Sequence, residues 1–230
     1  MEKKYHSVFD IIGPIMVGPS SSHTAGAVKI GLMARALFQK QPESVDIYLY
    51  ESFAETYKGH GTDIALVGGL LNLSLADPNL KESLEIATKE NLKVNFILEK
   101  GIKTLYPNTV KLVLKKADQI MSVVGVSVGG GKALITEINQ VNLEISDDLI
   151  TIVIFHHDKP GMIYQVSKIL SEKNINIATM KVRRSFKGSN AMMIIEIDNS
   201  DLNDSIALLK AIPFIDEVIL INLNQKEQSC

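Results

Sequence analysis

The sequence predicts an α+β fold in two domains, a larger mixed domain over residues 1–148 and a smaller one over residues 149–223. Two observations predict this. Runs rich in β-branched residues alternate with segments whose apolar residues follow helical spacing. A polar stretch at 139–148 separates two groups of such segments. The chain has no repeat and no low-complexity linker, and its polar tail at 224–230 is expected to be disordered.

Composition excludes several classes of protein. The 230 residues are 46% hydrophobic and 22% charged, as in ordinary globular chains, and the net charge of −2 leaves no basic excess for binding nucleic acid. No run approaches the roughly 18 apolar residues of a membrane span, and the N-terminus lacks a signal-peptide pattern, so we expect a cytoplasmic protein. The single cysteine, Cys230, excludes an intrachain disulfide and a cluster held by several thiolates of this chain.

The smaller domain has the βαββαβ order of a ferredoxin-like fold. A proline is well suited to the first turn of a helix because its missing N–H needs no partner there. The predicted elements are, in chain order, strand 149–155, a helix opened by Pro160 and Gly161, strand 177–184, a turn at 186–190, strand 191–197, a helix over 202–209 capped by Asp201, and strand 217–223.

A strand-to-helix loop and a later turn give residues 149–223 a resemblance to an ACT domain. The residues that carry it are Asp158, Lys159, Pro160, Gly161 and Met162, followed by the stretch 174–177. The resemblance implies an amino-acid effector at that loop and self-association through the domain. A helix N-terminus offers free N–H groups to a carboxylate. An ordinary turn, or a docking surface without a ligand, is the alternative interpretation.

The larger domain carries a serine-rich loop, GPSSSHTAGA at 18–27, which leads into a predicted helix over 25–38. Serine is a favoured N-cap, and a cluster of hydroxyls at a helix N-terminus is suited to a carboxylate or a phosphate. The hydroxyls belong to Ser20, Ser21, Ser22 and Thr24, and His23 projects at the same end. An ordinary capped helix start is the alternative.

A second glycine-flanked loop, GHGTD at 59–63, lies between a predicted strand at 45–51 and a predicted helix at 62–71. The glycines leave His60 sterically open, which suits proton transfer but also an idle surface histidine. The other candidates in this loop are Gly61, Thr62 and Asp63. Two histidines and one aspartate without a HExxH pattern do not favour a metal site in this chain.

Taken in order, these loops, the segment YPNT at 106–109 and the ACT-like domain resemble the β chain of the bacterial iron–sulfur L-serine dehydratases, or L-serine ammonia-lyases, over residues 5–223. The resemblance implies that residues 1–148 form an allosteric-substrate-binding-type domain, as in some phosphoglycerate dehydrogenases. Its sheet would include strands at 92–98, 110–114, 121–128 and 133–138, with a hairpin turn at 129–131. Related chains often carry a histidine at the position of Tyr106, so Tyr106 is assigned no chemistry.

The resemblance also implies the chemistry. Enzymes of this family eliminate water from L-serine, and the product hydrolyses to pyruvate and ammonium. They use a [4Fe–4S] cluster whose open iron acts as a Lewis acid on the leaving hydroxyl. Because this chain has one cysteine, the cluster must lie on a cysteine-bearing α subunit, and the chain should be inactive alone. A terminal thiol at Cys230 that reaches the neighbouring cluster is a further, weaker hypothesis.

Within such a complex, His23 and His60 are the predicted catalytic residues, and which of them is the acid stays open. The predicted L-serine-binding residues are Ser20, Ser21, Ser22, Thr24, Gly61, Thr62 and Asp63. The alternative is a non-catalytic module that senses an amino acid through its ACT-like domain or only docks to a partner. The sequence does not decide the effector or the stoichiometry.

Overall fold

The computed structural model describes residues 20–184, 188–198, 202 and 204–223. The chain divides into two compact units between Asp147 and Asp148, within the polar stretch 139–148. Several predictions fall outside the described residues. They concern the start of the serine-rich loop at 18–19, part of the turn at 186–190, the cap Asp201, and the tail 224–230 with Cys230.

The first unit is built on a six-stranded sheet in the order β2-β1-β3-β4-β5-β6. Strand β1 runs parallel to β2, and the remaining neighbours are antiparallel. The strands are β1 (Ser44–Tyr50), β2 (Lys93–Glu99), β3 (Thr109–Lys116), β4 (Gln119–Gly129), β5 (Lys132–Ile138) and β6 (Val141–Ser146). The helices are α1 (Gly26–Phe38), α2 (Glu51–Thr56), α3 (Thr62–Leu70) and α4 (Ser83–Lys89), with a 3-10 turn at Pro78–Glu82.

One face of this sheet is covered by helices. Alternate residues of β1, namely Val45, Ile47 and Leu49, are buried, as expected for a strand with one face on the core. Helix α1 packs on β4 and β5. A Cβ at Gly125 of β4 would lie 2.4 Å from the Ile30 side chain, so a glycine is needed for this approach.

Helices α1 and α3 cross at two glycines. A Cβ on Gly69 would lie 2.2 Å from the backbone oxygen of Val28, and one on Gly31 would lie 2.5 Å from that of Leu66. The two backbones can approach this closely only without side chains at these positions. The crossing therefore holds the two helices, each of which begins at one of the histidine loops, against each other.

The strands predicted for the first unit are present, but three local predictions were wrong or incomplete. The stretch predicted as a polar seam contains β6, because its apolar residues alternate and Leu143 and Ile145 are buried. The helix predicted over 25–38 begins one turn earlier, as a π-helical turn over Ser21–Ala25. The short helices α2 and α4 were not predicted.

The second unit has the predicted βαββαβ order, with an antiparallel sheet ordered β10-β7-β9-β8. Its elements are β7 (Ile150–His157), α5 (Met162–Glu172), β8 (Ile177–Arg184), β9 (Asn190–Ile197), α6 (Ser205–Lys210) and β10 (Ile215–Ile221). Val166 and Leu170 of α5 are buried in one core with Ile152 and Ile154 of β7.

Two helix starts in this unit differ from the prediction. Pro160 does not open α5: it precedes Gly161, which is the N-cap with a left-handed φ of 88°, and α5 begins at Met162. Glycine adopts this φ without a steric penalty, so the glycine rather than the proline sets the helix start. The helix predicted over 202–209 begins at Ser205. Within the described ranges, no helix is both long and apolar enough to cross a membrane.

Candidate active site

The structure brings the two histidine loops together. The ring centroids of His23 and His60 lie 4.7 Å apart with the planes at 78°. The Thr24 hydroxyl donates a hydrogen bond of 3.1 Å to the backbone oxygen of His60, across 36 residues of sequence. Thr24 is almost fully buried, His23 is half-buried and His60 is exposed. The pair therefore forms a small surface site whose second histidine is open to solvent.

The serine-rich loop places His23 by capping the helix start. Ser20 is the N-cap of the π-helical turn, and its hydroxyl accepts a 3.1 Å hydrogen bond from the His23 backbone N–H. The same hydroxyl lies 3.5 Å from His23 Nδ1. Ser21 and Ser22 lie half-buried in the same turn. Single π-helical turns are rare and frequently occur at functional sites, so this start is consistent with a binding role for the loop.

On its other side, the His23 ring contacts helix α2. The sequence predicts neither this helix nor the contact. Ser52 Oγ lies 3.0 Å from His23 Nε2, and the Phe53 ring meets the histidine edge-on at 5.3 Å. Ser52 is 29 residues from His23, and no local pattern marks it. The position of Ser52 depends on where β1 ends and α2 begins. That point is set by the pairing of β1 with β2 and β3.

The surroundings of His23 keep its ring neutral. Burial lowers the pKa of His23, the neighbouring His60 lowers that pKa further, and hydrogen bonding to Ser52 raises it in part. A histidine whose pKa lies below its ordinary value of about 6.5 is unprotonated at neutral pH. The ring is therefore in the form that can accept a proton.

The remaining residues of the GHGTD loop form the start of α3. Gly61 is the N-cap with a left-handed φ of 67°, and Thr62 is fully buried. The Thr62 hydroxyl has no hydrogen-bond partner in the described part of the chain. The Asp63 carboxylate accepts a 2.9 Å bond from the Ile64 N–H, and burial raises the pKa of Asp63. The Asp63 carboxylate is therefore bonded to the backbone of its own helix turn.

The YPNT segment contacts the site through its backbone. The Pro107 carbonyl accepts a 3.0 Å hydrogen bond from the Ser52 N–H. The Tyr106 carbonyl accepts the hydroxyls of Thr104 and Thr109 at 2.7 and 2.6 Å. The segment therefore holds the start of α2, beside His23, in place.

In the second unit, the predicted effector loop has one side chain, that of Asp158, already engaged in hydrogen bonds within the protein. The Asp158 carboxylate accepts a 2.6 Å bond from Arg184 and a 3.1 Å bond from the Gly188 N–H. Both bonds lower the pKa of Asp158, and the bond from Gly188 has the larger effect. Lys159, Pro160 and Gly161 are exposed and Met162 is buried. The Asn174–Ile177 stretch lines a separate cavity of about 490 Å³, together with Ser167 and Ser171.

The described residues do not fit an iron–sulfur cluster. They contain no cysteine, since Cys230 lies outside them. Nor do three histidine, aspartate or glutamate side chains gather anywhere in the described ranges in a way that could hold a metal ion. A cluster needs several thiolates, so no step of the chemistry is assigned to one within this chain.

The βαββαβ order of the second unit is that of a ferredoxin-like fold. Family models specify both parts. The model for the ACT domain matches residues 150–214, and the model for the serine dehydratase beta chain matches residues 7–137. The chain belongs to the serine dehydratase beta chain family.

Individual relatives agree with this assignment. The chain is 43% identical to the probable L-serine dehydratase beta chain of Bacillus subtilis, over 95% of this chain and 99% of that protein. It is 37% identical to the L-serine dehydratase beta chain of Peptoniphilus asaccharolyticus, over 84% and 87%. It is also 30% identical to a D-3-phosphoglycerate dehydrogenase of Methanocaldococcus jannaschii, over 69% of this chain and 30% of that one.

Proposed function

We propose that the chain is the β subunit of a two-chain L-serine dehydratase, which deaminates L-serine to pyruvate and ammonium. The observation that carries the proposal is the contact between His23 and His60, whose ring centroids lie 4.7 Å apart. The relatives named above, which match the chain over most of its length, support the substrate.

The reaction requires two proton transfers. A base removes the α-proton of L-serine while an acid protonates the departing hydroxyl, so that water leaves and an aminoacrylate remains, which hydrolyses to pyruvate and ammonium. His23 and His60 divide these roles, and the neutral ring of His23 suits the base. The hydroxyl-bearing turn from Ser20 to Thr24, at the start of a helix, would hold the substrate carboxylate.

The active site is shared with a cysteine-bearing α subunit. In this proposal that subunit carries the [4Fe–4S] cluster, because the described part of this chain offers no thiolate. This chain then supplies proton transfer and carboxylate binding, and it is inactive without its partner.

The direct test replaces each histidine by alanine in the complex reconstituted under anaerobic conditions, with pyruvate formation as the readout. General acid–base groups contribute about 10²- to 10⁴-fold, so we expect kcat/KM to fall at least about 100-fold in His23→Ala and in His60→Ala. His157→Ala, which removes a half-exposed histidine of the second unit, is the matched control and should retain activity. Unchanged kcat/KM in both site variants would overturn the proposal.

A second candidate function is amino-acid sensing by the ACT domain, favoured by the family match over 150–214 and by the cavity at Asn174–Ile177. Calorimetric titration of the full chain with L-serine separates the two functions. Loss of binding only in Asp158→Ala would support the sensor, whereas loss only in His23→Ala would support the active-site loop.

A further inference from the structure

We propose that Ser52 is a positioning residue for His23: its hydroxyl accepts the Nε2 proton, so that the lone pair of Nδ1 faces the Ser20–Ser22 turn. The inference rests on the proposed function, in which His23 exchanges a proton with a ligand held at that turn. It assigns a role to a side chain that no sequence motif marks.

The two sides of the His23 ring are not equivalent. The Nε2–Ser52 Oγ distance of 3.0 Å is that of an ordinary hydrogen bond. The Nδ1–Ser20 Oγ distance is 3.5 Å, and the Ser20 hydroxyl already accepts the His23 backbone N–H. Ser52 Oγ is thus the closer partner for a ring N–H, so we place the proton on Nε2, which leaves the lone pair of Nδ1 to accept another.

The backbone around Ser52 is held in a way that fits a positioning role. Glu51, just before it, has a left-handed φ of 40°, which is uncommon for a residue with a side chain. The Glu51 carboxylate accepts the Thr104 N–H, and the Ser52 N–H donates to the Pro107 carbonyl at 3.0 Å. Such conformations persist where the surroundings fix them, and they cluster at functional sites.

These contacts give the YPNT segment a function. The Pro107 carbonyl fixes the start of α2, and α2 in turn fixes the ring of His23. The chain from 104 to 107 thus acts on the histidine through Ser52.

The tautomer of His23 tests the proposal without any reaction. In the ¹⁵N-labelled full chain at pH 8, where the ring is neutral, long-range ¹H–¹⁵N correlations should show the Nε2–H form. In Ser52→Ala the averaged nitrogen shifts should move towards a mixture of tautomers, and Ser52→Thr should restore them. A cavity of about 280 Å³ beside Ser52, lined by Glu55 and Ile102 among others, leaves room for the added methyl group.

Activity of the reconstituted complex gives the second readout. Ser52→Ala should lower kcat about 10-fold or more with little change in KM, because substrate still binds while the base is misplaced. Ser52→Thr should recover most of kcat, and Thr88→Ala, which removes an exposed hydroxyl of α4, should leave it unchanged.

The outcomes separate the two proposals. If the tautomer of His23 is the same in Ser52→Ala as in the native chain, or if the native chain has the Nδ1–H form, the role of Ser52 is overturned, whatever His23→Ala does. If the tautomer changes in Ser52→Ala but His23→Ala keeps full kcat/KM, the role of Ser52 in holding the ring stands and the proposed catalytic function of His23 fails.

Discussion

At the scale of single residues, the site depends on contacts between side chains that are far apart in sequence. The sequence predicts His23 and His60 as site residues from their loops, and the crossing of α1 and α3 places the two rings side by side. Ser52 could not be predicted, because its 29-residue separation from His23 is closed only by the sheet. Asp63 has the right position in the sequence for a substrate ligand, yet its carboxylate is turned onto its own helix.

Replacement of His60 should raise the pKa of His23. The nearby ring of His60 lowers that pKa by charge repulsion, whereas Ser20, Ser52 and Phe53, which also contact the His23 ring, are uncharged. In His60→Gln the pKa of His23 should move up towards its ordinary value, with burial still holding it below. NMR titration of the full chain measures this, and a pKa that stays in place or falls would contradict the assigned cause.

The buried ion pair between Lys29 and Asp147 should be important for stability. Their atoms lie 2.6 Å apart, and the side chain of Asp147 is 1% exposed. The same carboxylate accepts the Ala133 N–H at 2.9 Å. Asp147→Ala leaves both partners unsatisfied, so we expect the free energy of unfolding to fall by about 3–5 kcal/mol in denaturant titrations.

The control for this prediction is the pair between Lys115 and Asp46, which has a similar distance of 2.7 Å but side chains that are 42% and 25% exposed. Asp46→Ala should cost at most about 1 kcal/mol, because exposed ion pairs contribute little. Equal losses of unfolding free energy in Asp46→Ala and Asp147→Ala would show that burial does not determine how much each ion pair contributes.

At the scale of elements, the periodicity of apolar residues predicts helices and strands whose conformation is set locally. It fails for elements whose conformation is set by contacts with other parts of the fold. The long strands and the helices α1 and α5 follow from the spacing of their apolar residues, whereas α3 shows no such period because nearly all of its residues are buried. The sequence predicts a polar seam where β6 lies, because polar residues occupy the exposed face of this strand, and α2 is too short to show a period. The start of α5 depends on the backbone conformation of Gly161, which a Pro-Gly pair does not specify.

The crossing of α1 and α3 should be sensitive to one methyl group. In Gly69→Ala the new Cβ would lie 2.2 Å from the Val28 backbone oxygen, so the helices must separate. We expect a loss of about 1–3 kcal/mol, as for other overpacked sites, and a fall in activity because the histidine loops move apart. Thermal unfolding and kcat/KM of the reconstituted complex measure the two effects.

Gly68→Ala is the matched control on the adjacent residue of α3. Its Cβ would meet a terminal methyl of Leu80 at 2.2 Å, and a side-chain end can rotate away where a backbone oxygen cannot. Alanine also has the better helix propensity. Gly68→Ala should therefore be clearly more stable than Gly69→Ala, and the reverse order would refute the role of the helix crossing.

At the scale of the whole molecule, the two units differ in the features that they contribute. The first unit holds the histidine pair, and the second has the ACT fold. The described residues contain no cysteine, so in the proposed dehydratase an iron–sulfur cluster would lie on a partner subunit. The domain order and the family could be predicted from sequence motifs, whereas the contacts around His23 required the folded sheet.

The central claim is that this chain supplies part of a shared active site. The most direct measurement is pyruvate formation from L-serine, assayed anaerobically with the purified chain alone and with the chain combined with a cysteine-bearing α subunit whose iron content has been determined. We predict no pyruvate from the chain alone and sustained formation from the combined subunits. Equal pyruvate formation with and without the α subunit, or none from a combination that contains intact cluster, would contradict the account.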